Sequence, residues 1–298
     1  MTKFFTYSTA LLAGLALLGS AQQADAQQFS KRKQYTSIGV NLNAMNYFGD
    51  LNPNTNFASF KFADTRPNLG ITITHRFFPR VSGRFGLSYG RVTANDGDNA
   101  NRDDNNARFR YTRNMNFRND IAEASAVLVV DLIENRNNYL KRPDFVPYVF
   151  GGIAGFHHNP QGKDQNGNYV DLQPLQTEGK DYSKTSFAIP FGAGVRYRIN
   201  RNLDASFEIG LRKTFTGYLD DVNNTYADLS SKSAEAQYFG GYAGDASHPK
   251  GITNTSTGVA GGFVPGAKRG QGHDDWYTVS GFSLNYILTP RIKNPKFR

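Results

Sequence analysis

The segment Asn202–Phe215, NLDASFEIGLRKTF, constrains the fold more than any other stretch of this 298-residue chain. In steps of two, Leu203, Ala205, Phe207, Ile209 and Leu211 fall on one side, and Asp204, Ser206, Glu208, Gly210 and Arg212 on the other. Side chains alternate across a strand, so the segment is a strand with one apolar and one charged face. The pattern recurs about eight times. With an export signal at the start of the chain, it predicts a transmembrane, antiparallel, up-and-down β-barrel of about eight strands, apolar toward lipid and polar inward.

Residues 1–26 read as a signal peptide, with Lys3, the apolar run Ala10–Leu18 and cleavage between Ala26 and Gln27. Residues 27–298 then form the barrel domain. Past residue 19 no apolar run approaches the length a spanning helix needs, so membrane insertion requires a closed barrel. There is no cysteine, which excludes disulfides and thiolate metal sites. The formal charge of +9 survives removal of residues 1–26, which carry one Lys and one Asp. No basic helix or nucleic-acid motif gathers that charge, so it suits an anionic membrane surface, an acidic partner, or simple solvation of loops.

The predicted strands are 35–47, 68–77, 81–92, 120–133, 145–156, 186–199, 202–215 and 276–288. Their connections alternate long and short. This ordering places short turns and both termini in the periplasm and long loops, 93–119 and 216–273 among them, outside. Aromatics near strand ends (Tyr47, Phe77, Phe78, Tyr89, Phe145, Phe156, Phe187, Tyr197, Phe215, Trp276, Tyr277, Tyr286) are expected to form interfacial girdles. In the last strand, Thr278 and Ser280 interrupt the apolar face, which marks either barrel closure or a register shifted by one residue.

About eight strands leave an interior that side chains fill. The expected inward charges are Arg76, Arg84, Arg196, Arg198 and Arg212, with Glu123, Asp131, Asp204 and Glu208. Such a set reads as ion pairs plugging the barrel or as an ion or proton pathway. No serine sits in a nucleophile elbow and no H-E-x-x-H occurs, so no enzyme, catalytic residue or cofactor is expected. His157 and His158 end the fifth strand, and His75 faces lipid or the rim. Asp96, Asp98, Asn101, Asp103 and Asp104 have the oxygen density of a calcium loop but lack its glycine and terminal Glu, which favours a solvated loop.

Several segments resemble the PorG-like outer-membrane proteins of the type IX secretion system of Bacteroidota. They are AMNYFGDLNPN at 44–54, RPNLGITITHRFFPRVSGRFGLSYGR at 66–91, the block at 117–160 containing ENRNNYLKRPDFVPYVFGG, FGAGVRYRIN at 191–200, FEIGLRKTFTGYLDDV at 207–222, and DDWYTVSGFSLNYIL at 274–288. The resemblance implies a non-enzymatic outer-membrane barrel that anchors or assembles a periplasmic ring, with ring proteins or a secretion lipoprotein as partners beside outer-membrane lipid. The alternative is a barrel whose external loops bind an extracellular ligand or surface glycan. The longest inward-facing turn, 134–144, offers Arg136, Tyr139, Lys141 and Arg142 as the expected partner contact, against the plainer reading of an ordinary turn before Pro143.

Overall fold

The computed structural model describes residues 33–52, 64–96, 110, 113, 115–164, 166–240 and 265–289. The signal-peptide reading, with Ala26 and Gln27, falls outside them, as does the C-terminal tail after Thr289.

Eight long strands close into an antiparallel barrel. They are β1 (Thr36–Phe48), β2 (Arg66–Arg76), β3 (Val81–Asn95), β4 (Asn116–Asp131), β5 (Phe145–Lys163), β7 (Thr185–Arg198), β8 (Leu203–Thr214) and β9 (Trp276–Leu288). A three-residue strand, β6 (Tyr169–Asp171), extends the top of β5. Each long strand pairs with its sequence neighbours, and β1 pairs with β9 to seal the cylinder. The register Thr36↔Leu288 and Thr36↔His75 puts the start of β1 and the end of β9 at the same end as the short turns.

The wall is apolar outside and charged inside, the reverse of a water-soluble barrel. Val40, Leu42 and Leu69 are each 62 % exposed on the outer face, and Ile153 is 70 % exposed. Glu123, Asp131 and Asp204 are buried on the inner face. Only lipid covers an outer wall of this kind at low cost. Among the described residues no helix is long and apolar enough to cross a membrane; the crossing is made by strands.

Phe77, Phe78, Phe145, Tyr197 and Tyr286 stay exposed toward the turn end, and Tyr89, Phe187 and Phe215 toward the loop end, where girdles belong. Tyr47, Phe156 and Tyr277, expected in the girdles, are instead fully buried inside. Thr278 and Ser280 keep outward register positions, since Tyr277 points in to reach Glu123, so the predicted register of β9 stands.

Two backbone features shape the wall. A Cβ on Gly152 would lie 2.2 Å from the carbonyl oxygen of Ala126, and one on Gly281 2.3 Å from that of Leu42. Glycine is what lets these strands press against their neighbours. Gly281→Ala should destabilise the barrel by at least ~1–3 kcal/mol, because backbone would have to give way; unchanged urea resistance would contradict that. Between β5 and β7 the ladder skips two pairs, from Gly151↔Phe191 to Ala154↔Ala188. Pro190, which has no N–H to donate, sits in that gap.

Candidate functional site

The lumen is crossed by ion pairs on facing strands. Arg84 on β3 pairs with Glu208 on β8, which also accepts from the Tyr148 hydroxyl at 2.6 Å. Arg212 on β8 lies 3.5 Å from Glu123 on β4, which accepts from Tyr277 at 2.6 Å. Nearer the turns, Asp131 is held by two guanidiniums, Arg76 at 2.8 Å and Arg196 at 2.6 Å. Cavities of about 50 and 30 Å³ flank Arg84, which lines both. Each has room for only a few waters, and the Arg84–Glu208 pair divides them.

One expected role is corrected and one refined. Arg198 points inward and lines a small cavity with Asp131 and Asp204, but it lies at the turn-end rim, where its ion-pair partner is exposed Asp144. Asp204 does lie inside, and its partner is Arg142, which was expected on the surface of the 134–144 turn. Arg142 is buried. It binds Asp204 at 2.6 Å and donates to the carbonyls of Tyr139, Asn200 and Arg201. It ties this turn to the neighbouring one, because a planar fork of donors can serve a carboxylate and several carbonyls together. Arg136, paired with Glu134 at 2.7 Å, and Lys141 remain exposed. Tyr139 is half-buried, 6.3 Å from the ring of Tyr35.

At the other end the strands overrun the apolar band, and the described parts of their loops pack into a cap. Met45, Tyr47, Leu51, Val92, Phe117, Leu219, Val222 and Tyr277 belong to its core. Asp96 takes both oxygens to Arg113, at 2.7 and 2.8 Å, and also accepts from the Met115 amide. It is thus a buried ion-pair partner and not a solvated calcium-loop ligand; Asp98, Asn101, Asp103 and Asp104 fall outside the described residues. Arg269 is held by Glu178 and Asp221, and the last loop contributes a one-turn helix, α1 (Ala234–Phe239).

Beneath these pairs lie three more buried carboxylates, Asp50, Asp220 and Asp275. The Tyr47 hydroxyl is 2.5 Å from Asp220 and 2.9 Å from Asp275. Their other contacts are backbone amides: Gln271 to Asp50, Val222 to Asp220 and Leu219 to Asp275. Burial, then mutual repulsion, pushes Asp220 and Asp275 well above the usual carboxylate range. Burial raises Asp50 to about 6, against the pull of the Gln271 amide, Arg113 and His273.

His158 is buried, with Nδ1 3.3 Å from the Asn119 amide nitrogen and its ring stacked toward Tyr182; exposed His157 meets Thr185. His75 sits at the rim against Thr36 and Phe77. No cluster of His, Asp and Glu among the described residues has a metal-binding arrangement. The cap was missed in the sequence, although LDDV at 219–222, two carboxylates between apolar residues, was a signal for it.

A closed eight-stranded cylinder, apolar without and ion-paired within, defines a membrane β-barrel. The chain belongs to the family described as a domain of unknown function, DUF6089, which it matches over residues 25–241. No curated protein matches it in sequence. Among solved structures it is similar to Ail, the attachment invasion locus protein of Yersinia pestis, at 9 % identity and TM-score 0.38, over 86 % of this chain and 99 % of that one. It is similar also to the outer membrane protein OprG of Pseudomonas aeruginosa, at 11 % identity and TM-score 0.35, over 87 % and 98 % of the two chains. Outer Membrane Protein W of E. coli gives 14 % identity and TM-score 0.32, over 87 % and 100 %. No function is carried across from these structures.

Proposed function

We propose that this chain is a non-enzymatic, integral outer-membrane barrel that anchors or helps assemble a periplasmic ring of the type IX secretion machinery, with its turns and termini in the periplasm. The observation that carries this is the closure of the lumen. Ion pairs cross it and a packed cap seals the loop end, which suits a support better than a conduit. The resemblance of the segments at 44–54 and 117–160 to the PorG-like proteins supplies the machine.

With Arg142 committed to Asp204, the contact surface narrows to Arg136, Leu140 and Lys141 around the short helical turn Tyr139–Lys141. The test is a native pull-down through a tag on the C-terminal tail. The double reversal Arg136→Glu, Lys141→Glu should lower recovery of ring proteins about tenfold or more while the barrel still folds. Full recovery with that variant would remove the turn from the interface.

A second reading keeps the barrel and moves its function to the cap, where an extracellular ligand or surface glycan would bind. The packing of the described loop residues into one buried cluster favours it. Secretion that survives deletion of residues 241–264 supports the anchor; loss of a surface-binding phenotype with that deletion supports the cap.

A further inference from the structure

Just above the apolar band, at the loop end, the outer wall turns polar across four adjacent strands. Tyr89, Ala122 and His157 are the last residues of the band on β3, β4 and β5. Two residues further along each strand, about 7 Å away at the usual strand rise, come Arg91, Asp120 and Asn159; Arg118, Gln161, Lys163, Tyr169 and Asp171 continue the patch. All face outward by register.

The charges do not cancel. Asp120 is bound by Arg91 through both oxygens. Asp171 accepts from Asn159 at 2.8 Å and Gln161 at 2.6 Å, and Lys184 is 3.9 Å from it. Arg118 and Lys163 then have no carboxylate within 4.0 Å among the described residues. Arg118 is nevertheless held firmly. Its Nε donates to Gln161 at 2.8 Å, and its guanidinium carbon lies 3.4 Å from the centre of the Tyr169 ring. Its two terminal nitrogens are left to meet an outside acceptor. The short strand β6 exists in the structure only as an addition to β5, and it is what brings Tyr169 under the guanidinium.

We propose that this patch binds the phosphate of a lipid headgroup in the leaflet on the loop side, with Arg118 as the fork that grips it and Lys163 as the second cation. A planar, pre-positioned guanidinium suits bidentate capture of phosphate. The source is a lipid and not a soluble anion because the patch continues the lipid-facing wall with no step between them. Anionic headgroups attract each nearby Lys or Arg at this level. The inference rests on the membrane-barrel reading above.

The test uses the full chain reconstituted in phosphatidylcholine vesicles, with insertion checked first by heat-modifiable gel mobility. Folded barrel is then titrated by native mass spectrometry with diphosphoryl lipid A, with diacylglycerol as the phosphate-free lipid and inorganic phosphate as the soluble competitor. Wild type should retain the phosphorylated lipid over diacylglycerol. Arg118→Gln with Lys163→Gln should weaken retention about thirtyfold, while Lys232→Gln, in the cap and off the lipid-facing wall, should leave it unchanged. Equal retention by wild type and double variant, or displacement by equimolar inorganic phosphate, would overturn the lipid site and leave the barrel standing. Failure of the wild type to insert would instead overturn the membrane reading, and the site with it.

Discussion

Asp131→Ala is expected to cost the folded barrel about 3–5 kcal/mol, the penalty for stranding buried charge. Asp131 is 1 % exposed and, among the described residues, is the only carboxylate paired with both Arg76 and Arg196. Removing it leaves two guanidiniums facing one another across the lumen. Arg76 is itself 2 % exposed, and the small cavity it lines with Arg196 has room for only a few waters, too few to solvate two bare guanidiniums as a carboxylate does. Asp131→Asn should recover shape but not charge, and so fall nearly as far. The measurement is urea unfolding in lipid vesicles, followed by the emission of Trp276, the single tryptophan of the chain. A loss below about 1 kcal/mol, the range of exposed pairs, would mean that the lumen is wetter and more adaptable than its geometry indicates. A surface pair such as Arg136–Glu134 provides the comparison, and its removal should stay within that lower range.

The second large effect is on pH. The cap should be firmest in acid and loosen as pH rises. An unfolded carboxyl titrates near 3.8, whereas Asp50 in the folded cap titrates near 6 and Asp220 and Asp275 well above the usual range. Below about pH 4 both states are protonated and the stabilisation is complete. From there up to the folded values only the unfolded chain gives up its protons, so stability falls; above them it levels off. For Asp50 alone, a displacement of about two pH units corresponds to ~3 kcal/mol. The groups facing these carboxylates are Tyr47, Glu178, Arg113 and His273; the hydrogen bonds from Tyr47 and the positive field of Arg113 oppose the repulsion, and Glu178 adds to it. Hydrogen exchange at the amides of Leu219, Val222 and Gln271, corrected for intrinsic rates, should therefore show protection declining from pH 4 to pH 7. The slope should flatten in Asp220→Asn, Asp275→Asn. Protection that rises with pH would refute this account of the cap.

The wall was legible because a strand has a period of two and lipid demands one apolar face from every strand. Val40, Leu69, Phe207 and Leu284 all fall where alternation puts them. The same rule could have corrected the aromatic girdle. Tyr47 and Tyr277 are odd-numbered on strands whose outward residues are even, and Phe156 is even on a strand whose outward residues are odd. Phase along the strand, and not proximity to its end, decides which face an aromatic takes. The cap and the role of Arg142 were not legible, for another reason. Arg142 meets Asp204 across 62 residues, and Tyr47 meets Asp275 across 228. Nothing local distinguishes such a carboxylate from a solvated one until closure of the barrel brings the two ends of the chain together. Strand lengths were not legible in the same place: β4 begins at Asn116 and β5 runs to Lys163, still alternating, but above the lipid the outward positions are polar and no apolar stripe marks them.

The seam between β1 and β9 also sets the order of events during biogenesis. Thirteen residue pairs, from Thr36↔Leu288 to Phe48↔Trp276, join the first strand to the last. Until the last strand has been delivered, both edges of the sheet remain unpaired, and an unpaired edge is a template for association with other chains. Loop-closure entropy opposes so distant a contact until the intervening strands have shortened the gap. The local hairpins β1–β2 and β2–β3 need only their neighbours, but the cylinder cannot close until the last strand arrives. A nascent molecule truncated before Trp276 would remain an open, adhesive sheet, however complete its other hairpins.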